Sequence, residues 1–245
     1  LYTIPDGVSR IAGGTVQPTP VNSTRYDFPG AFRGCVGLTC VTIPSSVREI
    51  LPRAFSGCTE LAAVICLGDA PTVVSQVDSS GNPLPDLGWG SGHYSFGAQG
   101  TAGARDATVY FLRGANGFTA PPSVLLEDAP TPTETWLLAH RIPHGTDLHQ
   151  DLNNDGVSLL MAYALDLDPR QNLRGRLPTP VLDGDNLAMS FQGNSAGITY
   201  TVQTGTDLQS WTTEGVTTYG PDAVGIRTAT VPRDMPQRFL RLLVE

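Results

Sequence analysis

The 245-residue chain contains no lysine, and all fifteen of its basic residues are arginine. Nothing in it calls for fifteen guanidinium forks, so the absence reads as a coding bias. Charge of either sign is scarce, at 16% of residues, and the balance is acidic: the net charge is −8 and the pI about 4.9. A nucleic-acid backbone or an anionic membrane surface would be repelled on average, and no arginine cluster offsets this. No stretch approaches the ~18 consecutive apolar residues of a membrane span, so membrane insertion is not expected. No G-x-S-x-G, H-E-x-x-H, P-loop or C-x-x-C motif is read in it, and the chain is expected not to be an enzyme. It also lacks an initiating Met and a signal peptide and begins at Leu1 inside a repeat, as a processed or truncated product would.

What is abundant is turn chemistry, with 27 Gly and 20 Pro against 40% hydrophobic residues. Many turns and few long helices follow. The turns punctuate a repeat. AFRGCVGL begins at residue 31 and returns as AFSGCTEL at residue 54, an interval of 23. This aligns Ala31, Phe32, Gly34, Cys35, Leu38 and Val41 with Ala54, Phe55, Gly57, Cys58, Leu61 and Val64. TIPDGVSRI (3–11) likewise matches TIPSSVREI (42–50), setting Ile4, Pro5, Val8 and Ile11 over Ile43, Pro44, Val47 and Ile50. A period in the twenties is the signature of a solenoid, whose units each carry an apolar stripe that only stacking can bury. Each L-x-x-V-x-I run is expected as a short strand, with the Ala-Phe pair on the opposite wall and Gly34 and Gly57 turning the chain between them.

The pattern IPxxVxxIxxxAFxGCxxLxxV resembles the BspA-type, treponemal class of leucine-rich repeats, and the resemblance covers about 1–120. Two insertions interrupt it, at 12–30 and 74–94, and the third unit is looser, with Val64, Cys66 and Val73 continuing the stripe. ATVYFLRGANGF (107–118) reads as a closing strand and cap. Long loops on a rigid scaffold often carry binding. GWGSGHYSFG (88–97) gathers Trp89, His93, Tyr94 and Phe96; Trp89, His93 and Tyr94 are candidates to stack on a sugar or on a partner's side chains, or alternatively to fold down and cap the open end.

Four cysteines occur, Cys35, Cys40, Cys58 and Cys66. The equivalent Cys35 and Cys58 should lie about one strand spacing, ~4.8 Å, apart. Free buried thiols packing as small apolar groups, which the resemblance also implies, and a Cys35–Cys58 bridge are both open, the bridge requiring an oxidising compartment. Cys66 takes an inward place and Cys40 an outward one. Their spacings are poor for zinc. His140, His144 and His149, with Asp147 and Asp151, could be read as a zinc set, but Pro143 breaks the helical spacing such a site needs, and solvated linker histidines are expected.

Beyond residue 120 the texture changes. APPSVLLEDAPTPTE reads as a Pro-rich linker, TWLLAHRI (135–142) as a short helix packing Trp136, Leu137, Leu138 and Ile142. Asp151-x-Asn153-x-Asp155-Gly156 is the first half of a calcium loop: alternate oxygen side chains face one ion, Gly156 makes the bend, and Val157 offers its carbonyl. The ninth and twelfth places are Leu159 and Ala162, so outside carboxylates (Asp147, or Asp166 and Asp168) would have to complete the shell. The competing reading is an Asx turn in which Asp155 caps a helix starting at Gly156–Val157. With Trp136, Asp151–Gly156, Tyr163–Leu165, Asp168-Pro169, ITYTVQTGTDLQSW and RFLRLLV in order, residues 130–245 resemble a C-terminal module of secreted verrucomicrobial and planctomycete proteins. Period-two runs (NLAMSF, GITYTVQT, QSWTTEGV, GIRTATVP, QRFLRLLV) predict an antiparallel sandwich or barrel with Leu187, Met189, Phe191, Tyr200, Val202 and Trp211 in its core.

The expected architecture is therefore mainly β. A leucine-rich-repeat solenoid (1–120) leads through a Pro-rich linker (121–134) and a helical, calcium-binding hinge (135–170; Asp147, Asp151, Asn153, Asp155, Val157) to a small antiparallel β-sandwich (171–245). The expected function is non-enzymatic: adhesion or recognition at a cell surface or outside the cell, with a protein or glycan as partner. The alternatives are self-assembly into a filament or layer through the open solenoid edge, and an accessory role in a secreted hydrolase.

Overall fold

The computed structural model describes residues 1–12, 30–51, 54–55, 57–73, 107–118 and 123–245. These residues are mainly β, with two short helices among them. They form two compact units, Leu1–His144 and Gly145–Glu245. The segment expected as a hinge, 135–170, is thus divided between them.

In the first unit, strands of two kinds alternate along the chain. β1 (Tyr2–Thr3), β3 (Cys40–Ile43), β5 (Ala63–Cys66), β7 (Thr108–Leu112) and β8 (Ser123–Leu126) form one parallel sheet in chain order. Between them the two-residue strands β2 (Arg10–Ile11), β4 (Glu49–Ile50) and β6 (Thr72–Val73) form a second parallel ladder. The register follows the repeat: Tyr2 pairs with Val41, Val41 with Val64, Val64 with Val109, and Ile11 with Ile50. Repeat-equivalent side chains meet because each buries the same apolar stripe, and a slip of one residue would turn every stripe outward. Ile4, Ile43, Val64, Cys66 and Val109 fill the space between the ladders. On the far wall Phe32 stacks on the fully buried Phe55, ring centroids 4.9 Å apart and planes 1° from parallel. Gly34 and Gly57 have φ of 73° and 80°, and a Cβ on Gly57 would meet the Gly34 backbone at 3.4 Å. Turns that stack this closely need residues without side chains.

Sequence reasoning stopped short at the far end of this unit. β7 does not close the sheet: Val109 pairs onward with Ser123, so part of the presumed linker is β8. The linker's end is helix α1 (Pro132–Ala139), begun by Pro132 and a capping box between Thr131 and Glu134. Arg141, at φ 61°, ends it, and the N–H groups of Arg141 and Ile142 return to the carbonyls of Leu138 and Leu137. Leu138 and Ala139 pack on Cys40, Ala63, Ile65 and Leu126, the sheet face opposite the core. Cys40 faces away from the core as expected, yet it lies beneath a helix, not in solvent.

The second unit begins with a loop and helix α2 (Leu159–Ala164), capped by Ser158, whose hydroxyl accepts from Met161 N. Six strands follow: β9 (Val181–Asp183), β10 (Asn186–Gln192), β11 (Tyr200–Gly205), β12 (Thr217–Tyr219), β13 (Ile226–Pro232) and β14 (Phe239–Val244). They pair antiparallel as a four-stranded sheet, β12-β13-β10-β9, and a β11-β14 pair. Met189, Phe191, Val202, Ala229, Val231 and Leu240 from both sheets form one core, with Leu187 and Tyr200 against it. Trp211 is not in that core. Its ring lies under the Arg241 guanidinium at 4.4 Å and beside Gly205, on the opposite side of the β11-β14 pair. A cation–π partner replaces burial there.

Candidate functional site

Two places merit chemical scrutiny: the acidic loop of the second unit and the row of turns on the first. In the loop, Asn154 and Gly156 adopt φ of 57° and 86°, bending the chain so that side chains fold back on their own backbone. Asp151 accepts from Asp155 N (3.3 Å) and Gly156 N (2.7 Å). Asp155, buried at 6% exposure, accepts from Val157 N at 2.9 Å and from Leu173 N at 2.5 Å. The Leu173 N–H, with those of Val157 and Asn153, outweighs partial desolvation and holds the Asp155 carboxyl below the usual range. Asn153 completes the knot. Its Oδ1 accepts from Asp155 N (3.2 Å), while its Nδ2 donates to Asp155 Oδ2 (3.1 Å), Gln171 O (2.7 Å) and Pro169 O (3.3 Å).

As arranged, these residues do not fit a calcium ion, which takes six to eight oxygens. Each carboxylate oxygen of Asp151 and Asp155 accepts an N–H, which leaves lone pairs over, but Asn153 turns a donor, not an oxygen, to Asp155 Oδ2 and to the carbonyls of Pro169 and Gln171. Val157 is held through its N–H, with its side chain buried. Leu159 and Ala162 are buried residues of α2. Of the outside carboxylates, exposed Asp147 accepts from His149 N (3.0 Å) and Nδ1 (3.1 Å), and the His149 N–H foremost lowers its pKa. Asp166 is exposed at φ 53°. Asp168 is gripped by the Arg170 fork at 3.0 and 3.1 Å; partial burial pushes its carboxyl up, but the Arg170 contacts together prevail and hold it down to about 2. Among the described residues no group of three or more His, Cys, Asp or Glu gathers closely enough to hold a metal. The expected cap is also revised: Asp155 forms an Asx turn to Val157, and Ser158 starts the helix.

Trp89, His93 and Tyr94 lie outside the described residues. The histidines have separate surroundings: His140 packs edge-on to Trp136 at 4.7 Å, and His149 pairs with Asp147. All four cysteines are free. Cys58 and Cys66 are buried as expected and Cys40 is buried beneath α1, and burial pushes Cys40 and Cys66 up to about 12 and, aided by Cys35, Cys58 to about 11. Cys35 differs, being exposed, while the Cys58 thiol donates to Phe32 O at 3.0 Å.

The reading that G-x-S-x-G is absent was wrong. Gly193-Asn-Ser195-Ala-Gly197 has the spacing of a hydrolase nucleophile elbow. Here the segment lies between β10 and β11, not between a strand and a helix, and the Ser195 hydroxyl donates to the carbonyls of Tyr163 (2.9 Å) and Ala164 (3.2 Å). The serine serves as a strut. A second omission is a polar cleft of about 370 Å³ in the first unit, lined by Ser45, Arg48, Asp69, Arg113 and Gly114. Ser45, Gly68 and Gly114 each follow β3, β5 and β7 by two residues, so equivalent turns of successive layers build it. That recurring offset was the available signal. Asp69 is fixed by Asn116 N (2.9 Å) and Nδ2 (3.2 Å), and Arg113 pairs with Glu127. The chain matches no protein-family model, no curated protein and no solved structure.

Proposed function

We propose that the chain is a non-enzymatic recognition protein of the cell surface or extracellular space, built as a short leucine-rich-repeat solenoid followed by a small β-sandwich, with a protein or glycan as partner. The observation that carries this reading is the shared register of Val41, Val64 and Val109, which repeats one layer and sets its turns in a row. Such a stack offers side chains at a fixed spacing of ~4.8 Å to a partner that is itself extended or repetitive. Because α1 covers the outer sheet face, the contact surface is the turn row, where Arg48 and Arg113 supply charge; Trp89, His93 and Tyr94, outside the described residues, are the candidates for stacking. The test is capture of the full chain on arrayed acidic and neutral glycans and purified surface proteins. Binding of a defined ligand should fall at least about tenfold in R48E/R113E, a loss of about 1.4 kcal/mol. A ligand indifferent both to those changes and to W89A/Y94A would overturn the assignment of this surface.

Self-assembly is the second reading. It is favoured by Tyr2, 46% exposed on β1, an edge strand among the described residues. Light scattering across a concentration series separates the two, since a monomer at all concentrations excludes it.

A further inference from the structure

We infer that the acidic loop is closed by a side-chain amide in the place a cation would take: Asn153 is an internal cross-link, and the loop needs no calcium. One nitrogen, Asn153 Nδ2, faces three oxygens from two parts of the chain, namely Asp155 Oδ2 (3.1 Å) in the loop, and Pro169 O (3.3 Å) and Gln171 O (2.7 Å) beyond α2. A carboxylate and two carbonyls converging on one point are the surroundings of a hard cation, but the chain fills the point with its own donor. The amide's orientation follows from its partners. Oδ1 meets the Asp155 N–H at 3.2 Å, so a reversed amide would set oxygen against three acceptors and nitrogen against a donor.

Around this amide the closure is complete. The second contact of Asp155 Oδ2, with Leu173 N, and the Asn153 bonds to Pro169 and Gln171 tie the loop to the segment leading toward β9. The two positions where a calcium loop would keep further ligands hold Leu159 and Ala162, which α2 buries at 2% and 1% exposure. Exchanging them for ligands would cost packing, so the apolar helix and the neutral cross-link belong to one solution. Position 153 therefore decides between a self-closed loop and a metal-closed one.

The experiment uses thermal melts of the full chain in EDTA and in millimolar calcium, with hydrogen exchange of the Leu173 amide as a local readout. The unsubstituted protein should melt identically in both, and a midpoint raised by calcium overturns the inference. Asn153→Ala should lower the midpoint by roughly 5 °C and speed Leu173 exchange, equally with and without calcium. Unchanged exchange would show that the amide closes nothing. Asn153→Asp removes the donor and sets a third carboxylate against Asp151 and Asp155. In EDTA it should exchange faster than Asn153→Ala, and calcium should restore slow exchange. Absence of that rescue overturns the claim that these oxygens are set for a cation.

Discussion

The two units hold their strands in place by opposite means. In the first, the stacked layers are joined by residues that occupy the same place in each: valine on valine, phenylalanine on phenylalanine, glycine turn on glycine turn. In the second, unlike residues meet. Tyr200 donates to Ala164 O at 2.6 Å, Ser195 struts α2, Arg241 covers Trp211, and an amide closes the acidic loop. A repeated layer gains register from apolar identity, so polar bonding is spared for its turns. A non-repeated unit must specify its joints one at a time, and it does so with buried or half-buried polar groups.

The sharpest way to break this contrast is Phe55→Ala. The side chain is fully buried and stacked on Phe32, so urea unfolding should show a loss of about 3–5 kcal/mol. Phe32 should lose ordered packing with it, and a loss below 1 kcal/mol would mean that the stacked wall is not a core. Next is Leu138→Asp, which sets a charge against the face formed by Cys40, Ala63 and Ile65. The cost should be on the order of 3 kcal/mol. Its specific sign is Cys40: a thiol reagent at pH 8 should modify Cys35 alone in the unsubstituted protein and Cys40 as well in the variant.

A third prediction uses the raised thiols. Folding holds their protons more tightly, so the stability they contribute is complete below the unfolded value of 9.0 and declines as pH rises toward about 12. Cys66→Val should remove up to about 1.4 kcal/mol per pH unit from that decline, seen in urea midpoints between pH 9 and 11; an unaltered slope would place Cys66 in contact with water. The smallest effect belongs to the second unit. Asp168, held near 2 against a usual 3.8, contributes stability that is present above pH 3.8 and lost as pH falls toward 2. Arg170→Ala should shift acid unfolding to slightly higher pH, with under about 1 kcal/mol lost at neutrality.

Much of the first unit was legible because identity at a fixed interval constrains register directly. Ile4 beside Ile43 and Phe32 beside Phe55 could be written down before any coordinates. The seat of α1 could not: WLLA is apolar on all sides, and periodicity names no face for it. Trp211 misled for a related reason, since alternation assigned it inward while Arg241, thirty residues away in sequence, offered its ring a partner outside. The acidic loop was legible as a bend but not as chemistry. D-x-N-x-D-G spaces oxygens identically whether a metal or an amide joins them, and only the contacts of Asn153 with Pro169 and Gln171 distinguish the two.

The parallel ladders of the first unit carry one more implication, for how its length can change. Cys40 pairs with Ala63 and Ile43 with Cys66, so excising residues 40–62 would join Thr39 to Ala63, the residue that takes the place of Cys40 in the next rung. The product would be shorter by one rung, ~4.8 Å, with its remaining neighbours still matched. Growth and shrinkage by whole rungs is therefore the cheapest change open to this half of the molecule, and its reach along a surface is set by how many copies it keeps.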